Sequence, residues 1–308
     1  MIAHTVARAD AEHVLVVIGS SLLDATRDAL PELPPSAFLA EPEARNTAPA
    51  VGFAAVVSRA RYGDEVVAVL PSDHFVRDTA TFRRKLADAC EIAADGWIVT
   101  LGIEPTHPET GYGYISYDRS ETIGAHAHRI EAFVEKPDLA RAMEYVASDR
   151  YAWNAGIFVF RPDSMLAEIE RQMPELAAGL AEIGAAVDTP AFDDVVGRVF
   201  PTLPKTSIDF GVMEGAERAA VIPADIGWSD IGHWGSVDIL QPADEHGNTT
   251  RGQTVALDSR RCVVFNTTTD ALTAVVGIDE LVVVHTDDAV LVMPRDRAQD
   301  VRTIVDEI

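Results

Sequence analysis

An α/β layered domain followed by a small β appendage is the fold the sequence predicts, and three observations carry it. First, valine-rich, near-continuous apolar runs recur through the first two thirds: HVLVVIG (13–19), EVVAVLPSD (65–73), GWIVTLGI (96–103), HRIEAFVEKP (128–137) and WNAGIFVF (153–160). Runs of that length suit strands covered on both faces. Second, TAPAVGFAAVVSRARYG, TATFRRKLADACEIAADG and DLARAMEYVASD stand between them with helical spacing and glycine or aspartate at their ends. Such alternation predicts a largely parallel sheet, and sheets of this kind gather ligands at the carboxyl ends of their strands. Third, from about Glu245 the pattern changes to short β segments broken by Asp, Asn, Gly and Thr, with no helical pattern before RAQDVRTIVDEI. This stretch reads as a few coils of a β-helix, joined to the first domain near QPADEHGN (241–248), which is rich in turn formers. The expected division is 1–244 and 245–308.

Composition narrows the function classes. With 308 residues, 47% hydrophobic and 24% charged, the chain is ordinary for a globular protein and long enough to bury a sizeable core. A formal net charge of −24 argues against nucleic acid or an anionic membrane as partner, since both need basic patches. No apolar run reaches the ~18 residues of a membrane span. MIAHTVARADAEHVLVVIG has neither the basic start nor the cleavage site of a secretory signal. Cys90 and Cys262 stand far apart, which argues against a disulfide framework or a cysteine-rich metal site and makes a reducing cytoplasm the expected compartment. Lys85, Lys136 and Lys205 are the only lysines beside 22 arginines, an imbalance that codon bias explains but that makes each lysine worth separate attention.

Several residues could carry chemistry. Asp73 follows VVAVLPS at the tip of an apolar run, where an α/β sheet presents ligand-binding groups; a turn or helix cap is the plain alternative. His74 beside it reads as structural. Asp230 lies in GWSDIGHW (227–234), one acid among two tryptophans and two glycines, and its carboxylate faces a backbone amide, a metal ion or nothing. Two carboxylates from distant segments can hold Mg²⁺, which completes its shell with phosphate oxygens and water, although spacing alone does not bring Asp73 to Asp230. FVEKP sets Glu135 and Lys136 at a strand end, on opposite faces by alternation. Lys136 is a point charge suited to a phosphate, or half of a solvated ion pair.

In PETGYGYISY (108–117), Gly111 and Gly113 let backbone approach a ligand closely, or merely bend the chain. Asn154, Ala155 and Gly156 interrupt the apolar run WNAGIFVF: a buried carboxamide suits the hydroxyls of a sugar, and a β-bulge is the alternative. EPEARNTAPA (41–50) leads into a helix with Asn46 or Thr47 as N-cap. Helix N-termini take anions and polar ligand edges, but capping alone explains both residues.

The order of these motifs is more specific than any one of them. EPEARNTAPA, LPSDH, PETGYGYI, FVEKPD, WNAGIF, SIDFGVME and GWSDIGHW follow one another as in the mannose-1-phosphate guanylyltransferases, and the chain resembles that family of sugar nucleotidyltransferases from its first residues through the β appendage. The resemblance implies a Rossmann-like, glycosyltransferase-A-type mixed sheet with helices on both faces, plus a small C-terminal left-handed β-helix. It implies transfer of GMP from GTP to mannose 1-phosphate, giving GDP-mannose and pyrophosphate, with Mg²⁺ as cofactor. Residue by residue, it puts Asp73 and Asp230 on the metal, Asn46 and Thr47 near the guanine, and Gly113 and Asn154 at the sugar with Gly156 in the same motif. Glu135 would meet the sugar hydroxyls, Lys136 the sugar phosphate, and Trp228 would wall the pocket. Asp209 of SIDFGVME would lie toward the sugar side, and Ala155 stands where the family often has serine. A homo-oligomer, a homodimer in its simplest form, joined through the C-terminal domain is the expected assembly.

One departure is large. The family opens with a strand and a glycine-rich loop, G-G-x-G-T-R-L-W-P-L-S-R, that cradles the nucleotide phosphates, whereas this chain starts at MIAHTVARA, which matches the helix after that loop. The expectation is a start codon placed too late, the retained acids and Lys136 weighing against the alternative of a truncated relative that serves as a non-catalytic binding or regulatory subunit. A nucleotidyltransferase of other base or sugar preference is the second enzymatic reading. Isomerase activity, carried by long fusions in this family, is not expected of this chain.

Overall fold

The computed structural model describes residues 1–232, 234, 243–301, 303 and 304. The chain divides into two compact units, Met1–Trp228 and Ser229–Ile308. The second unit thus begins ahead of the 244/245 division suggested by composition, and Gln241 and Pro242 of the expected join lie outside the described residues. Among the described residues no helix is long and apolar enough to cross a membrane.

The first unit runs α1 (Ile2–Ala9), β1 (Val16–Gly19), α2 (Leu23–Ala29), β2 (Phe38–Glu41), α3 (Thr47–Tyr62), β3 (Val67–Val69), β4 (Phe75–Val76), α4 (Thr79–Ala94) and β5 (Ile98–Ile103). It continues through β6 (Gly113–Ile123), β7 (Ala127–Glu135), α5 (Leu139–Ser148), β8 (Tyr151–Phe160), α6 (Pro162–Gln172), α7 (Pro174–Ala186), α8 (Phe192–Val199), α9 (Ile208–Gly211) and β9 (Ala219–Pro223), and its last residue, Trp228, is the first of the two-residue β10 (Trp228–Ser229). Six strands form one sheet in the order β3-β8-β5-β9-β7-β6, with β6 also pairing β8. The pair β5–β9 is parallel and every other pair in that sheet is antiparallel. The largely parallel sheet expected from alternation is therefore corrected to a mixed one. GYISYDRSETI folds back on AHRIEAFVE as a hairpin without a crossover helix, and β8 enters against all three of its partners. β1 and β2 pair in parallel as a separate two-stranded sheet.

Alternation along the sheet strands separates two cores. Ile98, Phe158, Phe160, Ala219 and Val221 face one layer with Val51 and Phe53 of α3, Ile169 of α6 and Leu180 of α7. Their neighbours Val99, Leu101, Ile157, Val159, Ala220 and Ile222 face the other, against Phe82, Leu86 and Ala89 of α4. The sheet is thus covered on both faces, which explains why its strands read as unbroken apolar runs.

The second unit holds β11 (Thr249–Arg251), β12 (Thr254–Leu257), β13 (Val263–Asn266), β14 (Thr273–Val276), β15 (Leu281–His285) and β16 (Val290–Pro294). Val263 pairs with Val282, Thr254 with Thr273 and Arg260 with Asp279, one constant spacing of 19 residues, as in the stacked coils of a β-helix. Asn266 Nδ2 donates to the carbonyls of Gln253 (2.9 Å) and Ala271 (2.6 Å) at a corner of the coil. β16 turns back antiparallel on β15. A 3₁₀ segment, Arg295–Asp300, begins the expected terminal helix, of which Arg302 and 305–308 lie outside the described residues.

One local device can be tested directly. α6 has Arg161 as N-cap residue without a side-chain cap, and Asp64 supplies one from a distance. Its carboxylate accepts from Asp163 N (2.8 Å) and from Arg161 Nε (2.6 Å). Asp64→Ala removes a cap and a charge-assisted pair together, and urea unfolding is expected to show a loss of about 1–2 kcal/mol.

Candidate active site

The chain leaves β3 through Leu70–His74 and presents Asp73 on the exposed side of that loop, beyond the strand's carboxyl end. His74, read as structural from its sequence context, accepts at Nδ1 from Trp228 Nε1 at 3.1 Å. The two rings meet edge to face at 5.3 Å, Tyr112 meets Trp228 at 5.3 Å, Trp153 meets Tyr112 at 5.2 Å and His107 meets Trp153 at 5.0 Å. Trp228 is one ring in this row, which runs from the Asp73 loop to the loop before β6 and mixes edge and face contacts, as aromatic pairs prefer.

Gly113, Glu135 and Asn154 come together where β6, β7 and β8 meet. A Cβ on Gly113 would lie 2.6 Å from Glu135 Oε2 and 3.5 Å from Asn154 Cβ, so glycine is what lets these groups share the space. The bulge, one of the two readings of the Asn154 stretch, is present. β8 gains extra residues against β5 between the pairs Thr100–Phe158 and Gly102–Asn154, and Gly156 takes φ +65° inside this bulge. The carboxamide of Asn154 holds it: Oδ1 accepts from Gly156 N and from Thr100 Oγ1, both at 3.1 Å, and Nδ2 donates to Asp209 Oδ1 at 3.0 Å.

Glu135 and Lys136 were expected on opposite faces, and the structure corrects this. Lys136 takes φ +46°, which breaks strand alternation, and its Nζ lies 3.2 Å from Glu135 Oε1. Glu135 is mostly buried and Lys136 exposed, so the pair is anchored at one end and open at the other. Two further acids border the cluster. Burial, then the Glu135 carboxylate, pushes the Asp209 carboxyl up to about 6, with Asn154 and Lys136 pulling the other way. Burial and Glu135 also raise the Glu214 carboxyl. Sequence reasoning misses Thr100 and Glu214; a lone threonine in the fully buried IVTLGI is the available signal for the first.

Asn46 is the N-cap of α3, at φ 68°, its side chain accepting from Thr47 N at 2.8 Å. Ala48 N donates to Thr206 O (3.0 Å), and Pro49 has no N–H. These amides are occupied or missing, so this helix start is not the open anion cradle that helix termini often provide. Thr47 Oγ1 accepts from Ile208 N at 2.8 Å, which ties α3 to the residue before Asp209. Asn46 and Thr47 are not brought into contact with the Gly113 cluster by any bond of their own; Ile208 and Asp209 form the link.

Asp230 belongs to the second unit. Of the three possibilities for its carboxylate, a backbone amide is one answer: Oδ1 accepts from Gly232 N at 3.0 Å. His233 of the same motif lies outside the described residues. Among the described residues no group of three or more His, Cys, Asp or Glu side chains is gathered to hold a metal ion.

The first unit is a mixed α/β domain with polar residues gathered at its strand ends, and the second is built of parallel β coils; family models matching the two parts define a nucleotidyl transferase with a β-helical extension. The chain belongs to the nucleotidyl transferase family, whose model matches residues 1–245, and residues 252–308 match a MannoseP isomerase/GMP-like beta-helix domain. The xanthan biosynthesis protein XanB of Xanthomonas campestris pv. campestris is 42% identical over 275 residues, which are 89% of this chain and 57% of that protein. Mannose-1-phosphate guanylyltransferase of Escherichia coli is 38% identical over 273 residues, 88% of this chain and 58% of that one. The chain therefore spans about half the length of the curated relatives it matches. A crystal structure named mannose-1-phosphate geranyltransferase, from Thermus thermophilus, superposes with a TM-score of 0.80 at 34% identity, covering 96% of this chain and 98% of that one. Nucleotidyl transferases generally work with a divalent metal ion.

The raised Asp209 carboxyl has a signed consequence for stability. Because its folded value, about 6, exceeds the ordinary 3.8, the stability it contributes is fully present below pH 3.8 and is lost as pH rises through 6. Asp209→Asn removes this loss while an amide oxygen still accepts from Asn154. Chemical denaturation is expected to find the variant more stable than the parent by on the order of 2 kcal/mol at pH 8, with the difference gone at pH 3.5.

Proposed function

We propose that the chain transfers GMP from GTP to mannose 1-phosphate, releasing pyrophosphate, as the relative from Escherichia coli is named for doing. The observation that carries this reading is the cluster around Gly113: a carboxamide, mostly buried acids and one exposed lysine, close enough to read hydroxyls on one side and a phosphate on the other. Glu135 and Asn154 are proposed for the sugar, with the Gly113 and Gly156 backbone leaving it room, and Lys136 for its phosphate. Trp228 is proposed as part of the aromatic wall. Asn46 and Thr47 are proposed for the nucleobase through side-chain and carbonyl edges, since the neighbouring amides are occupied.

No protein nucleophile is needed. A phosphate oxygen of mannose 1-phosphate attacks the α-phosphorus of GTP and pyrophosphate leaves in line, so the protein's task is positioning and charge neutralisation. Lys136 holds the attacking phosphate and offsets its charge in an otherwise acidic protein. Mg²⁺, when bound, supplies further charge neutralisation at the phosphate oxygens. Asp73 and Asp230 are proposed as its carboxylates on the motif resemblance and on their hard oxygen donors; an ion of this kind needs no more than one or two. The two scattered cysteines support a cytoplasmic setting. Val255, Leu257 and Val276, exposed together on the β12–β14 pair, support self-association into a homodimer through the second unit.

The test is pyrophosphate release by the purified chain with GTP, mannose 1-phosphate and Mg²⁺. Turnover is expected with GTP above other nucleoside triphosphates. Asp230→Asn and Lys136→Met are each expected to lower kcat/KM by about 100-fold, the scale of one lost charge contact to a transferring phosphate. A folded chain that binds both substrates without turnover would point instead to a non-catalytic subunit.

A further inference from the structure

Arg8 is an unusual side chain to find inside a protein. It is 8% exposed, and among the described residues its guanidinium has no carboxylate partner. Burial holds the group below its usual pKa, and one of its nitrogens, Nε, is buried with no hydrogen bond. A helix needing only to pack would use an apolar side chain here, because a charge without a counter-charge is an expensive thing to bury.

What Arg8 does reach is informative. Nη1 donates to the carbonyl of His74 at 3.3 Å, and Nη2 donates to Thr5 Oγ1 at 3.1 Å. Thr5, itself 6% exposed, donates in turn to the carbonyl of Ser72 at 3.2 Å. The two carbonyls that α1 holds are those on either side of Asp73. The guanidinium also lies 5.3 Å from the centre of the Phe82 ring on α4. Arg83 of α4 donates to the carbonyls of Arg8 (3.1 Å) and Ala7 (2.9 Å), so the helix carrying the clamp is itself fixed. The spacing of three residues puts Thr5 and Arg8 on one helix face, a polar pair pointing inward from an otherwise apolar stripe.

We infer that Thr5 and Arg8 are positioning residues, a two-point clamp on the backbone around Asp73 that sets where its carboxylate stands. Neither side chain touches substrate. The inference rests on the proposed participation of Asp73 in the reaction, but the clamp itself is measurable apart from that reaction.

The experiment compares the parent chain with Arg8→Met, Arg8→Lys and Thr5→Val. Methionine fills the space of arginine without the charge, so the fold is expected to keep its midpoint of thermal unfolding. Lysine keeps charge but loses the fork and covers the case in which methionine does not fold. Amide hydrogen exchange of residues 72–75 is expected to speed up by about tenfold in Arg8→Met and less in Arg8→Lys, with α4 and the sheet unchanged. With GTP and mannose 1-phosphate, kcat is expected to fall by about tenfold while KM for GTP stays within about twofold, because the loss is in the placement of a reacting-site group. Exchange at 72–75 that stays at the parent rate in stable Arg8→Met and Thr5→Val variants would overturn the clamp. Faster exchange with unaltered kcat would overturn its link to Asp73 function. If the parent chain shows no turnover, the proposed function fails, and the exchange data still decide the clamp.

Discussion

A single carboxamide organises the region of the first unit where β8 leaves its regular pairing with β5. Asn154 sits where β8 departs from regular pairing, and its oxygen accepts both the amide of Gly156 and the hydroxyl of Thr100 while its nitrogen serves Asp209. Replacing it by an apolar residue of like size would leave three partners unsatisfied in a mostly enclosed place, and groups of that kind cost more unpaired than they return when paired. The bulge, the left-handed Gly156 and the short helix bearing Asp209 therefore form one arrangement, and Thr47 extends it to the start of α3 through Ile208 N.

Charge is distributed around that arrangement with economy. Glu135, Asp209 and Glu214 crowd one side, and Lys136 is the cation paired with Glu135. Acids so close cannot all stay easily ionised, which is why burial and Glu135 raise both Asp209 and Glu214. Lys136 reaches Glu135 because its backbone turns left-handed, so the ion pair and the lysine's exposure come from one conformation.

The residues themselves made much of this legible. The apolar runs marked β1, β3, β5, β7 and β8, and the interruption at Asn154–Gly156 marked a bulge and a polar site together. Strand direction was not legible, since a buried antiparallel strand such as β8 carries the same unbroken valine, isoleucine and phenylalanine as a parallel one. Simple alternation also misplaced Lys136, because a positive φ at a non-glycine residue leaves no mark in the side-chain pattern. Arg8 and Thr5 escaped notice for another reason: on a short helix of mixed composition, inward-facing polar residues look like outward-facing ones until the loop they hold is known.

The strand order has a consequence for how the chain becomes a structure. β9 is the last strand of the main sheet in sequence, yet it lies between β5 and β7, pairing with one in parallel and with the other antiparallel. Until Ala219–Pro223 arrives, β5 and β7 each present an open edge, and only the β6–β8 pairing links the two parts of the sheet. A chain made from its N-terminus leaves those edges unpaired from the completion of β7 until β9 emerges, and the pairings that then cover them are among the longest in sequence. Slow, late completion of the sheet, with exposure to strand-edge association beforehand, is built into the topology.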